Sequence, residues 1–156
     1  MLRRAHIYLA NADRAAIVSA MYYNAAGIYY EQEDSLLVSQ WRERPGLAAA
    51  LLSSLGRFSV RDRNLRELKK TDWPSFLASH CRSVREFEST YLCIAVRALN
   101  DAELVYDANV QPLGEADISL HLTINPRGPV EDIERRLVRL FDEASVWAVN
   151  LRTIRA

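Results

Sequence analysis

Arg97, Asp107, Asn109, Gln111, Ser119, His121 and Thr123 occupy the polar positions of three consecutive alternating segments. An acid, an imidazole and hydroxyls on neighbouring strands are the parts of a general acid–base site. The same residues also suit the solvated face of an antiparallel sheet, which commonly keeps one side wet. Strand register decides between a cluster and a scatter, and the sequence does not state it. Other reactive side chains are sparse. His80-Cys81-Arg82 places a thiol beside a cation, but no partner cysteine is near in sequence, and a buried cysteine behaves as a small hydrophobe. Cys81, Cys93, His6, His80 and His121 form no CxxC, HExxH or HxH pair, so no metal site is expected. Glycines at 27, 46, 56, 114 and 128 are too far apart for GxGxxG, a Walker loop or GxSxG, all of which need close glycine pairs. No cofactor and no catalytic residue is expected.

The elements that must carry these residues are clearest in the C-terminal half. Leu92–Ala98, Leu104–Gln111 and Ile118–Ile124 alternate apolar with polar at period two, as half-buried antiparallel strands do. The short connections between them make a meander over 92–124. Pro129 then opens a helix to about 148, with Glu131, Asp132 and Glu134 at its electropositive end. Its apolar positions Val130, Ile133, Leu137, Leu140, Phe141, Ala144 and Trp147 or Ala148 form a stripe wide enough to lie on a sheet. Ile94, Val96, Leu104, Tyr106, Leu120 and Leu122 are expected to face it. The predicted class is α+β, an antiparallel sheet covered by a C-terminal helix, in one domain over 1–156.

The N-terminal half is less definite. Ala16–Tyr23 and Ile28–Glu31 read as strands around the turn Asn24-Ala25-Ala26-Gly27, followed by Leu36–Gln40. A helix over residues 13–26 fits the same alanine-rich text. Pro45 suits the start of a helix to about Phe58, with Leu47, Leu51, Leu52 and Leu55 on one face. Asp72-Trp73-Pro74 is a helix start, and Ser83 with Glu86 forms a capping box for Val84–Tyr91. Trp41, Trp73 and Trp147 read as core or boundary residues.

The chain has 156 residues, 49% apolar and 26% charged, with 20 basic and 20 acidic side chains. A globular core is within reach, and zero net charge argues against a dedicated nucleic-acid binder. Apolar runs are too short for a signal peptide or a membrane span, and two cysteines fit a reducing cytoplasm. The zero hides an asymmetry. Arg57–Lys70 holds six bases against two acids, whereas residues 100–145 hold ten acids against four bases. Such a dipolar surface suits protein partners.

Arg61–Tyr91, RDRNLRELKKTDWPSFLASHCRSVREFESTY, and the meander LVYDANVQPLGEADISLHLTINP resemble the immunity-type proteins of bacterial contact-dependent growth inhibition systems. The resemblance covers about half the chain and implies a small cytoplasmic protein that binds and neutralises a cognate toxin domain, often a nuclease. It implies no catalytic residues. Against a nuclease, the expected toxin-binding acids are Glu115, Asp117, Glu131, Glu134 and Asp142, which read as outward-facing on the last helix and the loop before the third meander strand. Glu31 and Glu33 read as exposed acids outside that set. The rival is a small enzyme or ligand-binding domain using the polar face of Arg97, Asp107, Asn109, Gln111 and His121.

Overall fold

A computed structural model describes residues 1–11, 14–62, 73–110 and 118–153, with side-chain placement through 147. Among the described residues, eight strands and four helices follow in the order β1 (Arg3–Leu9), β2 (Ala16–Tyr23), β3 (Tyr29–Glu31), β4 (Leu36–Val38), α1 (Leu47–Arg57), β5 (Ser59–Val60), α2 (Pro74–Ala78), α3 (Val84–Thr90), β6 (Leu92–Asn100), β7 (Glu103–Val110), β8 (Ile118–Ile124) and α4 (Val130–Thr153). The fold is α+β. The sheet runs β3-β2-β1-β6-β7-β8, with β4 and β5 also paired to β2. Its pairings are antiparallel except the short β2–β5 contact.

The meander is present as β6, β7 and β8, and α4 packs on its apolar side. Ile94, Val96, Leu104, Tyr106, Leu120 and Leu122 all join one core with Ile133, Leu137, Leu140, Phe141 and Ala144. Leu120 and Leu122 are only half-buried, because β8 is a sheet edge with no described strand beyond it. The helix starts one residue after Pro129 and runs past 148 to Thr153. Its stripe is narrower at the ends than expected: Val130 and Trp147 are 41% and 45% exposed, beyond the reach of the sheet. Trp41, by contrast, is buried edge-on against Phe141.

The central strand was not legible. β1 joins the N-terminal strands to the meander, pairing with β2 through Ala5–Tyr8 and with β6 along its whole length. Residues 16–23 are strand, which decides against the helix over 13–26. Ala16 through Met21 are all buried, since β2 is covered on both faces, and such a strand reads as a continuous apolar run without period. Two other elements shift. Helix α1 begins at Leu47 rather than Pro45, with Gly46 at φ 152° before it, and Gly56 lies inside its last turn. Beyond Val38 the chain leaves the sheet, and Gln40 takes φ 52°.

The sheet is covered on both sides. Ala5, Ile7, Leu9, Ala16 and Val18 face α1 and α4 in the large core. Tyr8, Ile17 and Cys93 point the opposite way and form a second, aromatic core with Trp73, Phe76, Phe87 and Tyr91 from around α2 and α3. Phe87 sits at its centre, with rings of Tyr8, Trp73 and Tyr91 all within 5.2 Å. Ser83 caps α3 by accepting from the Glu86 amide at 3.1 Å, while the Glu86 carboxylate accepts from the Arg82 amide. The capping box therefore closes one residue earlier than its usual form.

Tyr106 carries a cost in the main core, where Trp41 Nε1 is likewise buried without a partner. The Tyr106 side chain is fully buried, and its hydroxyl has no hydrogen-bond partner. Burial pushes its pKa upward. A buried unpaired hydroxyl costs about 1–3 kcal/mol. Tyr106→Phe is therefore expected to leave stability unchanged or raise it by about 1 kcal/mol, read as the urea midpoint at constant m. A loss of 2 kcal/mol or more, beyond roughly the usual single-site effect, contradicts this.

Candidate functional site

Three candidate sites take shape once the register is known. The first is the polar face of the meander. Asp107 stands directly opposite His121, Asn109 opposite Ser119, and Val105 opposite Thr123. Arg97 reaches Asp107 diagonally, with Nε and a terminal nitrogen 2.8 and 2.7 Å from Oδ2. The other carboxylate oxygen bonds His121 Nδ1. Ser119 Oγ donates to Asn109 Oδ1 at 2.8 Å. The sequence-predicted residues Arg97, Asp107, Asn109 and His121 are thus one cross-strand ladder; Gln111 lies outside the described residues.

That ladder has the base–orienter half of an acid–base site. Asp107 is largely shielded and orients the imidazole through Nδ1. The other half is missing from it. His121 is 61% exposed, and no described hydroxyl bonds its ring. Ser119 is committed to Asn109. Among the described residues no nucleophile bonds this pair, and the pair opens to solvent rather than to a dry cavity. What the ladder does provide is a set of polar side chains already held in one conformation.

The second candidate is the acidic set, which the fold divides. Glu134 is not outward-facing: its Oε1 accepts from the amides of Gly46 at 2.6 Å and Ala48 at 3.3 Å. Helix α1 has no acid in its own first turn and no side-chain cap, so α4 supplies the negative charge that its N-terminus attracts. Asp142 is exposed but paired with Arg42, whose guanidinium stacks between Trp41 and Phe141. Glu131 is exposed, and Glu115 and Asp117 lie outside the described residues. The exposed side of α4 also carries Arg135, Arg136 and Arg139. The acidic third of the sequence is therefore not an acidic surface along this helix, because helical periodicity interleaves its charges. Glu134→Ala is expected to cost about 0.5–2 kcal/mol, as loss of a helix cap does, measured by thermal melting; an unchanged melt contradicts the capping role.

The third candidate was missed. Glu31 is not an exposed acid but 5% accessible. Tyr8 donates its hydroxyl to Oε1 at 2.6 Å, and Ser75 donates both its amide and its hydroxyl to Oε2 at 3.0 and 2.7 Å. His6 Nδ1 lies 3.4 Å from Oε1. Ser19 links the hydroxyls of Ser75 and Ser35 at 2.6 and 2.7 Å. Burial alone would raise the Glu31 pKa; hydrogen bonds from His6, Ser75 and Tyr8 outweigh it and hold the carboxyl below its ordinary value. The cluster ties β1, β2 and β3 to the first turn of α2. No local pattern marks Glu31, since its partners come from 23 to 44 residues away.

The cysteines stand apart from this chemistry. Both are free. Cys93 lies against the aromatic core, where burial pushes its thiol up to about 12, so it is a thiol rather than a nucleophilic thiolate at neutral pH. Arg14 approaches the Cys81 sulfur at 3.8 Å. Among the described residues no group of three His, Cys, Asp or Glu side chains is placed to hold a metal ion, and no helix is long and apolar enough to cross a membrane. Of the basic run, only 57–62 lies within the described residues; Arg61 there faces Glu33 at 3.5 Å and Tyr22.

The chain matches no family model and no curated protein. It is similar in fold to a protein of unknown function from Neisseria meningitidis, with a TM-score of 0.64 over 86% of this chain and 90% of that one. Identity between the two is 14%, which speaks to the shared architecture alone.

Proposed function

We propose that this chain is a binding protein that neutralises a cognate toxin domain, and that the polar ladder of β6–β8 is part of the surface it uses. The observation that carries this reading is the half-covered second face of the sheet. Helices α2 and α3 bury its β1–β2 side, while Asn109, Ser119, His121 and Thr123 stay exposed. Across strands Ser119 is bonded to Asn109 and His121 to Asp107, so little entropy of these side chains is lost when a partner lands on them. The resemblance of residues 61–91 and the meander to immunity-type proteins supplies the class of partner. The exposure of His121, with no nucleophile bonded to it among the described residues, favours recognition over catalysis.

An open cleft of about 610 Å³ adjoins the ladder and is lined by Trp73, Phe87 and Tyr91 as well as Asp107 and Asn109. Aromatic walls beside a polar ladder are the composition that concentrates binding energy in protein interfaces. The same cleft is the feature that the rival ligand-binding reading would use.

The test is a pull-down from the native organism to identify a bound toxin domain, followed by co-expression with that domain. Rescue of growth by the native chain, and its loss with Asn109→Arg/Thr123→Arg, is the expected result. Glu131→Lys/Asp142→Lys should rescue as the native chain does. Rescue lost through the acidic pair and kept with the ladder pair would move the interface to α4. Absence of rescue by the native chain would overturn the toxin reading itself.

A further inference from the structure

The two edges of the sheet are built differently. At one end, β3 and β4 are three residues each, and short edge strands give an incoming strand little to pair with. At the other end, β8 is seven residues long and pairs with β7 in unbroken register from Ile118 to Ile124. Its sequence ISLHLTI contains no proline, no lysine and no bulge. Among the described residues nothing pairs with its outer side. A regular seven-residue edge with one apolar face and no described strand beyond it is a template for another strand.

The edge is also flanked by a specific chemistry. Leu120 and Leu122 are half-exposed where β8 meets α4, and they floor an open groove of about 490 Å³ with Leu140. Its wall on α4 holds Arg135, Arg136 and Arg139 against one acid, Glu143. Arg135 is paired with Asp132 one turn back. Arg136 and Arg139 are exposed and make no ion pair among the described residues.

We infer that the free edge of β8 is a docking site for an extended, acidic segment of a protein partner, which adds as a further strand of the sheet. Main-chain hydrogen bonds to β8 supply the pairing; apolar side chains on the inward face cover Leu120 and Leu122; carboxylates at the rim meet Arg136 and Arg139. A second copy of this chain fits less well. Antiparallel pairing of two β8 edges about a two-fold axis would set both α4 helices on the same side of the joined sheet. The arginines of each would then face those of the other, and such like-charge contacts oppose the contact. The inference does not depend on the partner being a toxin.

Titration of the ¹⁵N-labelled chain with synthetic seven-residue peptides tests it. The probes are Glu-Thr-Val-Thr-Val-Thr-Glu (Val/Glu), whose odd positions put Val and Glu on one face, the same peptide with Lys for Glu (Val/Lys), and Val/Glu with N-methyl groups on one or the other edge. Expected are shifts in the amides of 118–124 and 135–139 with the Val/Glu peptide only. One N-methylated edge should abolish them and the other leave them intact. Arg136→Glu/Arg139→Glu should weaken binding by roughly tenfold or more, and both sites are exposed, so the fold is kept. Silence at millimolar peptide, shifts elsewhere, or equal binding of Val/Lys overturns the inference. So does a concentration-dependent dimer of the native chain that shifts the amides of 118–124, which would assign the edge to a second copy. Tighter binding of a single-stranded oligonucleotide than of Val/Glu at the same residues would assign the arginines to phosphate instead and also overturns it.

Discussion

Glu31→Ala is expected to destabilise the protein by about 3–5 kcal/mol, the range for breaking a buried ionic group from its partners. Three donated hydrogen bonds converge on this carboxylate, from the Tyr8 hydroxyl and from the amide and hydroxyl of Ser75. Truncation removes the acceptor that all three share, leaving the Ser75 amide buried without one, the two hydroxyls with only Ser19 and His6 beside them, and His6 without its neighbouring charge. The loss reaches α2, whose first turn is held to the sheet only by contacts of this kind and by the aromatic core. Glu31→Gln keeps the shape but turns one oxygen into a donor aimed at donors, so it should cost about 1–3 kcal/mol. Urea unfolding at neutral pH reads both. A cost below about 1 kcal/mol for the alanine variant, no more than an ordinary surface-to-average substitution, would falsify the buried-cluster account.

The same carboxyl sets an acid dependence with a definite sign. Its pKa is lower in the folded protein than in the unfolded chain, so the unfolded state binds the proton more readily. The stability it contributes is fully present above the ordinary carboxylate range. It is lost as pH falls from there through the depressed folded value. Glu31→Gln should remove that component, so its stability should fall less steeply on acidification than that of the native protein. A parallel decline in both would show that other carboxylates carry the acid sensitivity.

Leu137→Ala is expected to cost about 2–5 kcal/mol, from lost transfer energy and the cavity left behind. Leu137 has no accessible surface and stands in the centre of the α4 stripe, between Ile133 and Leu140 and over the apolar face of the meander. Leu120→Ala should cost clearly less. Its side chain faces the same helix but lies on the edge strand with one side open, so it loses less burial and leaves a notch that water can fill. Guanidinium unfolding of the two variants gives the comparison. Equal costs would mean that β8 is covered by something the edge position does not show.

Legibility in the sequence followed how local the determining physics is. The meander and α4 were readable because each has one wet and one buried face, and alternation or helical spacing then writes the burial into the text. The Ser83–Glu86 cap was readable because its partners are three residues apart. Within the ladder, the residue types Arg97, Asp107, Asn109 and His121 were readable as one polar face. Their pairing was not, since a shift of one residue in register would have separated Asp107 from His121 and turned them to opposite faces. Strand β2 was ambiguous for the opposite reason: covered on both sides, it shows no period at all.

Taken alone, then, the sequence determined the α+β class, the three-stranded meander, the amphipathic C-terminal helix and the absence of glycine-loop and clustered cysteine–histidine motifs. Each of these depends on spacings within one element or on composition. Only the tertiary structure decided that β1 is the central strand, that Glu31 is buried among donors brought from β1 and α2, and that Glu134 caps α1 instead of facing solvent. It also decided that three arginines of α4, against the one acid Glu143, line the groove beside β8. The physical reason is common to all four. A charge's role is set by what lies within a few ångströms of it, and those neighbours are supplied by segments tens of residues away, through pairings that the linear order does not encode locally.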